Sequence, residues 1–397
     1  MKQNTTIGWF VLALCSLTII IVYTIPTLML PVLFAEMAAE LELDILQIGV
    51  AWGSLSLSSM VIGLFGGAIG DRFGSRRTLS VVCLLTGIFG ALRGLVPNYG
   101  LLIVSFLIYG LVAPSLPPNL HKAGAYFFPK RRGVATGTIS LAFAFALFIG
   151  SRYTATWLSP LVGGWRNVLF FFGAMGVIAS VIWWLMPDDW LPPPVHSDQP
   201  FFGGIFETLG HVLRVRELWI IGSASTLFWA CYRGFSGYTP VYLRELGWDA
   251  VSADNALSTF FLASLVLALP MVYLSERIGN RRPFLIVAML ASGGGIMLMG
   301  LGNPASIPIG LVVAGLMFDA FMAIYQAEIL DLKGIGAYMG SALGAAVMFR
   351  EIGGFFGPPI GNWLAQFGGN VPFLFWGSLS LMAAIIFLFL PQRTVNH

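Results

Sequence analysis

The chain has 397 residues, of which 57% are hydrophobic and 10% charged, with a formal net charge of +3 and a mean hydropathy of +0.84. A soluble globular domain carries roughly 25% charged residues, so water is excluded as the main solvent, and the net charge is too small to argue for nucleic acid. A membrane β-barrel is excluded because segments such as 11–33 are apolar all round, not at alternate positions, which leaves an all-α membrane protein whose helices satisfy their own backbones in lipid.

Apolar runs of about 20 residues cross a bilayer core as helices. The first starts at Ile7; at about 26 residues it exceeds a signal-peptide core and is expected to remain as a span. Breaks at charge clusters and at Pro and Gly predict twelve spans, near residues 7–33, 47–69, 78–96, 99–120, 133–158, 166–186, 218–243, 251–274, 283–302, 305–329, 337–365 and 371–391. Kinks are expected at Pro26, Pro31, Pro114, Pro117 and Pro240. Between the sixth and seventh spans, 187–217, with Pro192, Pro193 and Pro194, reads as a linker. The expected organisation is an N-terminal six-helix bundle (1–186), a cytoplasmic linker (187–217) and a C-terminal six-helix bundle (218–397). With both termini in the cytoplasm, 15 of the 21 Lys and Arg fall on that side and Arg166 and Arg244 alone remain for the opposite loops, as the positive-inside rule requires. Cys15, Cys83 and Cys231 sit in apolar runs at unrelated spacings and suggest neither a disulfide nor a metal site.

The two halves repeat. Asp71-Arg72-x-Gly74-x-Arg76-Arg77 recurs as Glu276-Arg277-x-Gly279-x-Arg281-Arg282, displaced by 205 residues. Gly133, Gly137, Asn167, Val168, Phe170 and Phe172 recur as Gly336, Gly340, Asn370, Val371, Phe373 and Phe375, displaced by 203. The halves are therefore homologous units in parallel orientation, a construction known among transporters.

The loop Gly67-x-x-x-Asp71-Arg72-x-Gly74-x-Arg76-Arg77 resembles the signature between the second and third helices of the major facilitator superfamily. The resemblance implies two pseudo-symmetric six-helix bundles, alternating access and secondary transport in a bacterial inner membrane. It implies that Asp71 and Arg72, with Gly67, Gly74, Arg76 and Arg77 around them, form a gating latch against the start of span eleven. Pro117-Pro118, Lys122, Phe128-Pro129, Arg131-Arg132-Gly133 and Gly164-Trp165-Arg166-Asn167 look more loosely like bacterial branches that carry cyanate, organic anions or monocarboxylates.

Ionisable groups inside a bilayer cost at least about 2.5 kcal/mol each and mark functional sites by default. Arg93, near the end of span three, is within reach of the headgroups. Arg152 lies near the mouth of span five, while Arg233, Asp319, Arg350 and Glu351 lie at mid-depth in spans seven, ten and eleven. Under the repeat, Arg350 corresponds to Leu147 and Arg152 to Phe355, so these charges answer to solute chemistry better than to scaffold. The excess of guanidinium over carboxyl favours an anionic solute, a carboxylate gripped by Arg233, Arg350 and Arg152, with Tyr232 as a hydrogen-bonding contact. Tyr23, Tyr238, Asn119 and Gln326 are further polar candidates. Asp319 and Glu351 are the candidate proton carriers, although Arg350 could instead pair with Asp319. Gly353, Gly357 and Gly361 form a stripe that should admit a neighbouring helix closely.

The main competing function is proton-driven multidrug efflux, against which the arginine excess counts. An enzyme is not expected, because His121, His196, His211 and His397 sit at edges, loops or tails, and no phosphate-binding loop follows a strand. No cofactor or metal is implied. The expected partners are a small anionic solute, membrane lipids and protons, and the expected state is a monomer.

Overall fold

The computed structural model describes residues 5–128, 131–187, 190–191, 209–303, 305–332 and 339–391; most of the expected linker lies outside them. Twelve long helical elements follow one another: α1 (Thr6–Leu28), α2 (Ile45–Phe73), α3 (Ser75–Leu92), α4 (Tyr99–Tyr126), α5 (Gly133–Val162), α6 (Trp165–Leu185), α7 (Arg216–Glu245), α8 (Ala250–Ile278), α9 (Arg282–Met299), α10 (Ser306–Ile329), α11 (Met339–Leu364) and α12 (Val371–Phe387). Among the described residues there is no strand, and nine helices are long and apolar enough to cross a membrane. The other three are α12, with 17 residues, and α7 and α11, whose 30 and 26 residues span a bilayer by length but carry Arg233 or the Arg350-Glu351 pair.

Several of these helices are broken, mostly where proline removes a backbone donor. α1 passes through a π-turn at Ile19–Thr24 before Pro26, and α4 through a 3-10 turn, Ala113–Ser115, around Pro114. Pro240, by contrast, lies inside an unbroken α7. The break in α10 is not at a proline: Leu316 and Met317 separate Ser306–Gly315 from Phe318–Leu330.

The chain divides into two compact units, 1–42 with 61–199, and 43–60 with 200–397. The first half of α2 thus packs within the second unit.

In the first unit, α3 and α6 meet through small residues. A Cβ on Gly87 would lie 2.6 Å from the Gly173 carbonyl oxygen, and Ser80 donates to the Ser180 carbonyl at 2.9 Å, which is the close approach that small residues permit in lipid. Arg93 does not reach for the headgroups. It is 1% exposed, its guanidinium carbon 3.7 Å from the centre of the Tyr109 ring and its Nη2 donating to the Pro26 carbonyl at 3.0 Å. An aromatic face and a carbonyl at the proline break together take the place of water.

Before α2, the short helix Phe34–Leu41 is tied to the start of α6. Glu40 accepts from Arg166 Nε at 2.7 Å and from Trp165 Nε1 at 2.6 Å. The Arg166 hydrogen bond holds the Glu40 carboxyl below its ordinary range, against a weaker upward effect of burial. A depressed carboxylate stabilises the fold above its unfolded pKa of about 4.3 and loses that contribution as pH falls through the folded value. Because the Glu40 side chain is 49% exposed, the contribution is at most about 1 kcal/mol. The thermal midpoint in detergent should therefore fall on acidification below about pH 5 slightly less in Glu40→Gln than in the parent; an identical profile would show that the contact does not stabilise the unit.

In the second unit, α11 lies tightly against α7. A Cβ on Gly353 would stand 1.9 Å from the Thr226 carbonyl oxygen and one on Gly357 2.4 Å from that of Ala230, while Gly361 abuts Trp376; the glycine stripe is a packing surface. The first half of α2 joins this assembly, with Gly53 against the Phe355 carbonyl and Asn362 Nδ2 donating to the Ile45 carbonyl at 2.7 Å.

Candidate functional site

Arg233, Tyr232, Asp319, Arg350 and Glu351 all fall in the second unit, on α7, α10 and α11. α11 carries Arg350 against α7, where its guanidinium carbon lies 4.6 Å from the centre of the Trp229 ring. Nη2 and Nε of Arg350 donate to Oε1 of Glu351 at 2.7 and 3.1 Å. The side chains are 25% and 7% exposed, so the cation is partly reachable and its counter-ion almost wholly buried. Its carboxylate partner is thus the next residue in the chain and not Asp319.

Asp319 is positioned by the break in α10, which sets it in the first turn of a new helical segment, where the helix dipole favours negative charge. Its Oδ2 accepts from the Ser264 hydroxyl of α8 at 2.7 Å, and its backbone N–H donates to the same hydroxyl oxygen at 2.8 Å. Among the described residues no cation lies within ion-pair distance of it.

Between these charged groups runs an aromatic path. The Trp229 and Tyr232 rings are 4.9 Å apart, and Tyr232 stacks on Phe318 at 4.5 Å, one residue before Asp319. Tyr232 is buried in this run and packs also against Phe260. The path is invisible to sequence patterning, since Trp229 and Arg350 are remote in the chain and Phe318 reads as an ordinary apolar residue. The i, i+3 spacing of Trp229 and Tyr232 was its one legible trace.

Arg233 is 2% exposed and engaged with the first half of α2. Its guanidinium carbon lies 3.5 Å from the centre of the Trp52 ring, and its Nη2 donates to the Trp52 carbonyl at 3.4 Å and to Ser56 Oγ at 3.3 Å. The Arg233 carbonyl in turn accepts from Trp52 Nε1 at 3.0 Å. Arg152 lies in the first unit, exposed on α5 just before its π-turn at Thr154–Leu158. Two other polar candidates are engaged in packing: Tyr238 donates to the Gly369 carbonyl at 3.0 Å, and Asn119 to the Gly66 carbonyl at 2.9 Å.

Of the loop motif, Gly67 and Asp71 have side chains outside the described residues. Gly74 takes φ 81° at the entry to α3, a backbone that favours glycine. Arg76 donates through Nε and Nη2 to the Trp184 carbonyl at 3.0 and 2.7 Å, closing the end of α6. Arg72 and Arg77 are exposed. In the second copy Gly279 is the left-handed cap of α8 at φ 69°, but the roles of the arginines are exchanged: Arg282, the counterpart of Arg77, donates to the Leu388 carbonyl beyond α12, and Arg281, the counterpart of Arg76, pairs with Asp331 and, at 3.9 Å, with Glu328.

Membrane-crossing helices that carry buried charges beside an aromatic path, one of them interrupted just before Asp319, fit a multi-pass membrane transporter. The chain belongs to the Major Facilitator Superfamily, whose model matches residues 12–253 and 243–397. It is 32% identical over 156 residues to the "Probable galactarate/D-glucarate transporter GudP" of Escherichia coli (strain K12), a match covering 38% of this chain and 34% of that protein. Over nearly the whole chain it is 25% identical to the "Probable nitrate/nitrite antiporter NarK1" of Thermus thermophilus, covering 91% and 86%. It is 22% identical to the "Multidrug resistance protein MdtH" of Cronobacter sakazakii, covering 98% and 94%. The nucleoside transporter NupG (D323A mutant) shares the fold with a TM-score of 0.78 at 14% identity, covering 96% of this chain and 99% of that one.

Proposed function

We propose that the protein is a secondary active transporter of a small organic anion, a carboxylate, working by alternating access in a bacterial inner membrane with both termini cytoplasmic. The observation that carries this reading is Arg350: a partly exposed guanidinium stacked on Trp229 and oriented by Glu351. Planar, always charged and presenting parallel donors, it suits a carboxylate. Galactarate, glucarate, nitrate and nitrite, named for two relatives, are all anions, which supports the charge sign. Arg350 is the primary holder in this proposal, and Arg152 and Arg233 are additional contacts, Arg233 after release from Trp52. Asp319 and Glu351 are the two proton carriers of this proposal, and Tyr232 keeps Phe318 and hence Asp319 in place. The two bundles are 1–186 and 218–397, joined by 187–217, and the loop from Gly67 to Arg77 gates them.

The test is transport by the purified protein in proteoliposomes, with radiolabelled D-glucarate and nitrate and with the fluorescent cation ethidium, each with and without a pH gradient. Saturable D-glucarate uptake, raised by an inward proton gradient, is expected. Asp319→Asn should lower the stimulation by the gradient while leaving D-glucarate exchange. Full-length similarity to MdtH favours drug efflux as a second reading; saturable ethidium movement with no movement of either anion would replace the anion reading by that one.

A further inference from the structure

With Arg350 as the anion holder, a role on which this inference rests, we propose that Glu351 is an internal stand-in for the solute. Its carboxylate holds the guanidinium edge that an incoming carboxylate needs, and anion binding at Arg350 draws a proton onto Glu351.

The geometry is that of a competitor. Oε1 of Glu351 accepts from Nε and Nη2 together, at 3.1 and 2.7 Å, which is the side-on edge of the guanidinium, one of the faces a bidentate carboxylate uses. Because the two residues are adjacent on α11, no rigid-body motion of helices separates them. Only a change of rotamer or of protonation releases the edge. The pair is net neutral and poorly hydrated, with Glu351 7% and Arg350 25% exposed. A solute carboxylate added while Glu351 remains ionised sets two negative charges against one positive charge away from water, and the like charges disfavour it. A proton taken from solution onto the Glu351 carboxylate forms its O–H bond and restores neutrality. The two N–H donors then pass to the solute, and no covalent bond of the solute changes.

Among the described residues, the other titratable groups on the elements packed against α11 have partners or surroundings of their own. α11 packs against α7, α10, α12 and residues 45–60 of α2; α12 and that part of α2 carry no titratable side chain. α7 brings Cys231, Tyr232 in the aromatic run, and Arg233, held on Trp52 and Ser56. α10 brings Tyr325, whose hydroxyl donates to Ser225 Oγ and the Ala346 carbonyl at 3.3 Å. It also brings Asp319, hydrogen-bonded to Ser264, and Glu328, paired with Arg281. Glu351 is the acid that the structure pairs with Arg350.

A residue that merely positions Arg350 and one that competes for it give opposite signs when removed. Equilibrium dialysis of radiolabelled D-glucarate, and in parallel of nitrate, is to be followed on the purified full-length protein from about pH 5 to 8.5. Proton uptake on anion addition is read with a pH dye in weak buffer. In the parent, affinity should fall about tenfold per pH unit on the alkaline limb, with one proton taken up per anion. In Glu351→Gln both effects should vanish, and at about pH 8 the variant should bind at least about tenfold more tightly than the parent. Weaker binding by Glu351→Gln at every pH, with the parent's slope retained, would make Glu351 a positioning residue and overturn the proposal while leaving the anion reading intact. Binding by the parent with no proton uptake anywhere in the range overturns it too, and needs no variant to fold. Uptake lost in Asp319→Asn but kept in Glu351→Gln assigns the proton to Asp319 instead and sinks the competitor role. A parent that binds neither anion overturns the anion reading itself and the proposal with it.

Discussion

Replacing Arg350 by Met together with Glu351 by Gln is expected to lower the initial rate of D-glucarate uptake by about 100-fold while leaving the thermal midpoint within a few degrees of the parent. The rate follows from the loss of a two-pronged charge-assisted contact, worth about 3 kcal/mol, with 1.4 kcal/mol per factor of ten. The stability follows from removing both charges at once. Arg350→Ala alone leaves Glu351, 7% exposed, buried without its partner, and a broken buried pair costs about 3–5 kcal/mol; that variant should be markedly less stable and is the poorer probe of transport. Arg350→Lys keeps the charge but lacks the planar fork that meets two oxygens and lies on Trp229, so its rate should fall between the two. Uptake by the double variant within about threefold of the parent, less than 1 kcal/mol, would remove Arg350 from solute binding.

The second large effect is expected of Gly353→Leu. A Cβ there meets the Thr226 carbonyl oxygen at 1.9 Å, the Thr226 carbonyl carbon at 2.8 Å and the Ala230 nitrogen at 2.9 Å, all backbone atoms of α7 that no rotamer can move aside. α7 and α11 must part, and the Thr226 hydroxyl loses the Phe349 carbonyl it reaches at 2.7 Å. Overpacking of this kind costs about 3 kcal/mol or more, and the thermal midpoint in detergent should drop by at least about 5 °C. Gly294→Ala on α9 is the control: nothing lies within 4 Å of its Cβ position, and Ala should hold the helix about as well or better, by up to about 1 kcal/mol. Equal midpoints for Gly353→Leu and the parent would show that the α7–α11 contact does not hold the unit together.

Membrane residence, the all-helical class, the twelve spans and the repeat were legible because each depends on features near one another in the chain. Apolar length sets a span whatever it packs against, and a duplicated loop carries its glycines and arginines with it. Gly74 and Gly279 at positive φ and the glycine stripe on α11 follow from the same local logic. Arg93 shows where that logic stops: its depth near a helix end allowed a path to the headgroups, and only the Tyr109 ring and the Pro26 carbonyl, brought from other helices, turn it inward.

The partners of the buried charges belong to the same second class. A sequence states that Arg233, Asp319, Arg350 and Glu351 are expensive in lipid, because the cost of desolvating a charge is a property of the side chain alone. What offsets that cost is geometric. Arg350 turned to the adjacent Glu351 and the distant Trp229, Arg233 to Trp52 and Ser56, and Asp319 to Ser264 at a helix break without a proline. Hydrogen bonds and cation–π contacts act over a few ångströms, and the helices that supply them are adjacent only in the folded unit. The chain by itself therefore fixed that charges lie inside a membrane transporter, while the tertiary packing alone decided which partners they meet and that Arg350 stays partly exposed.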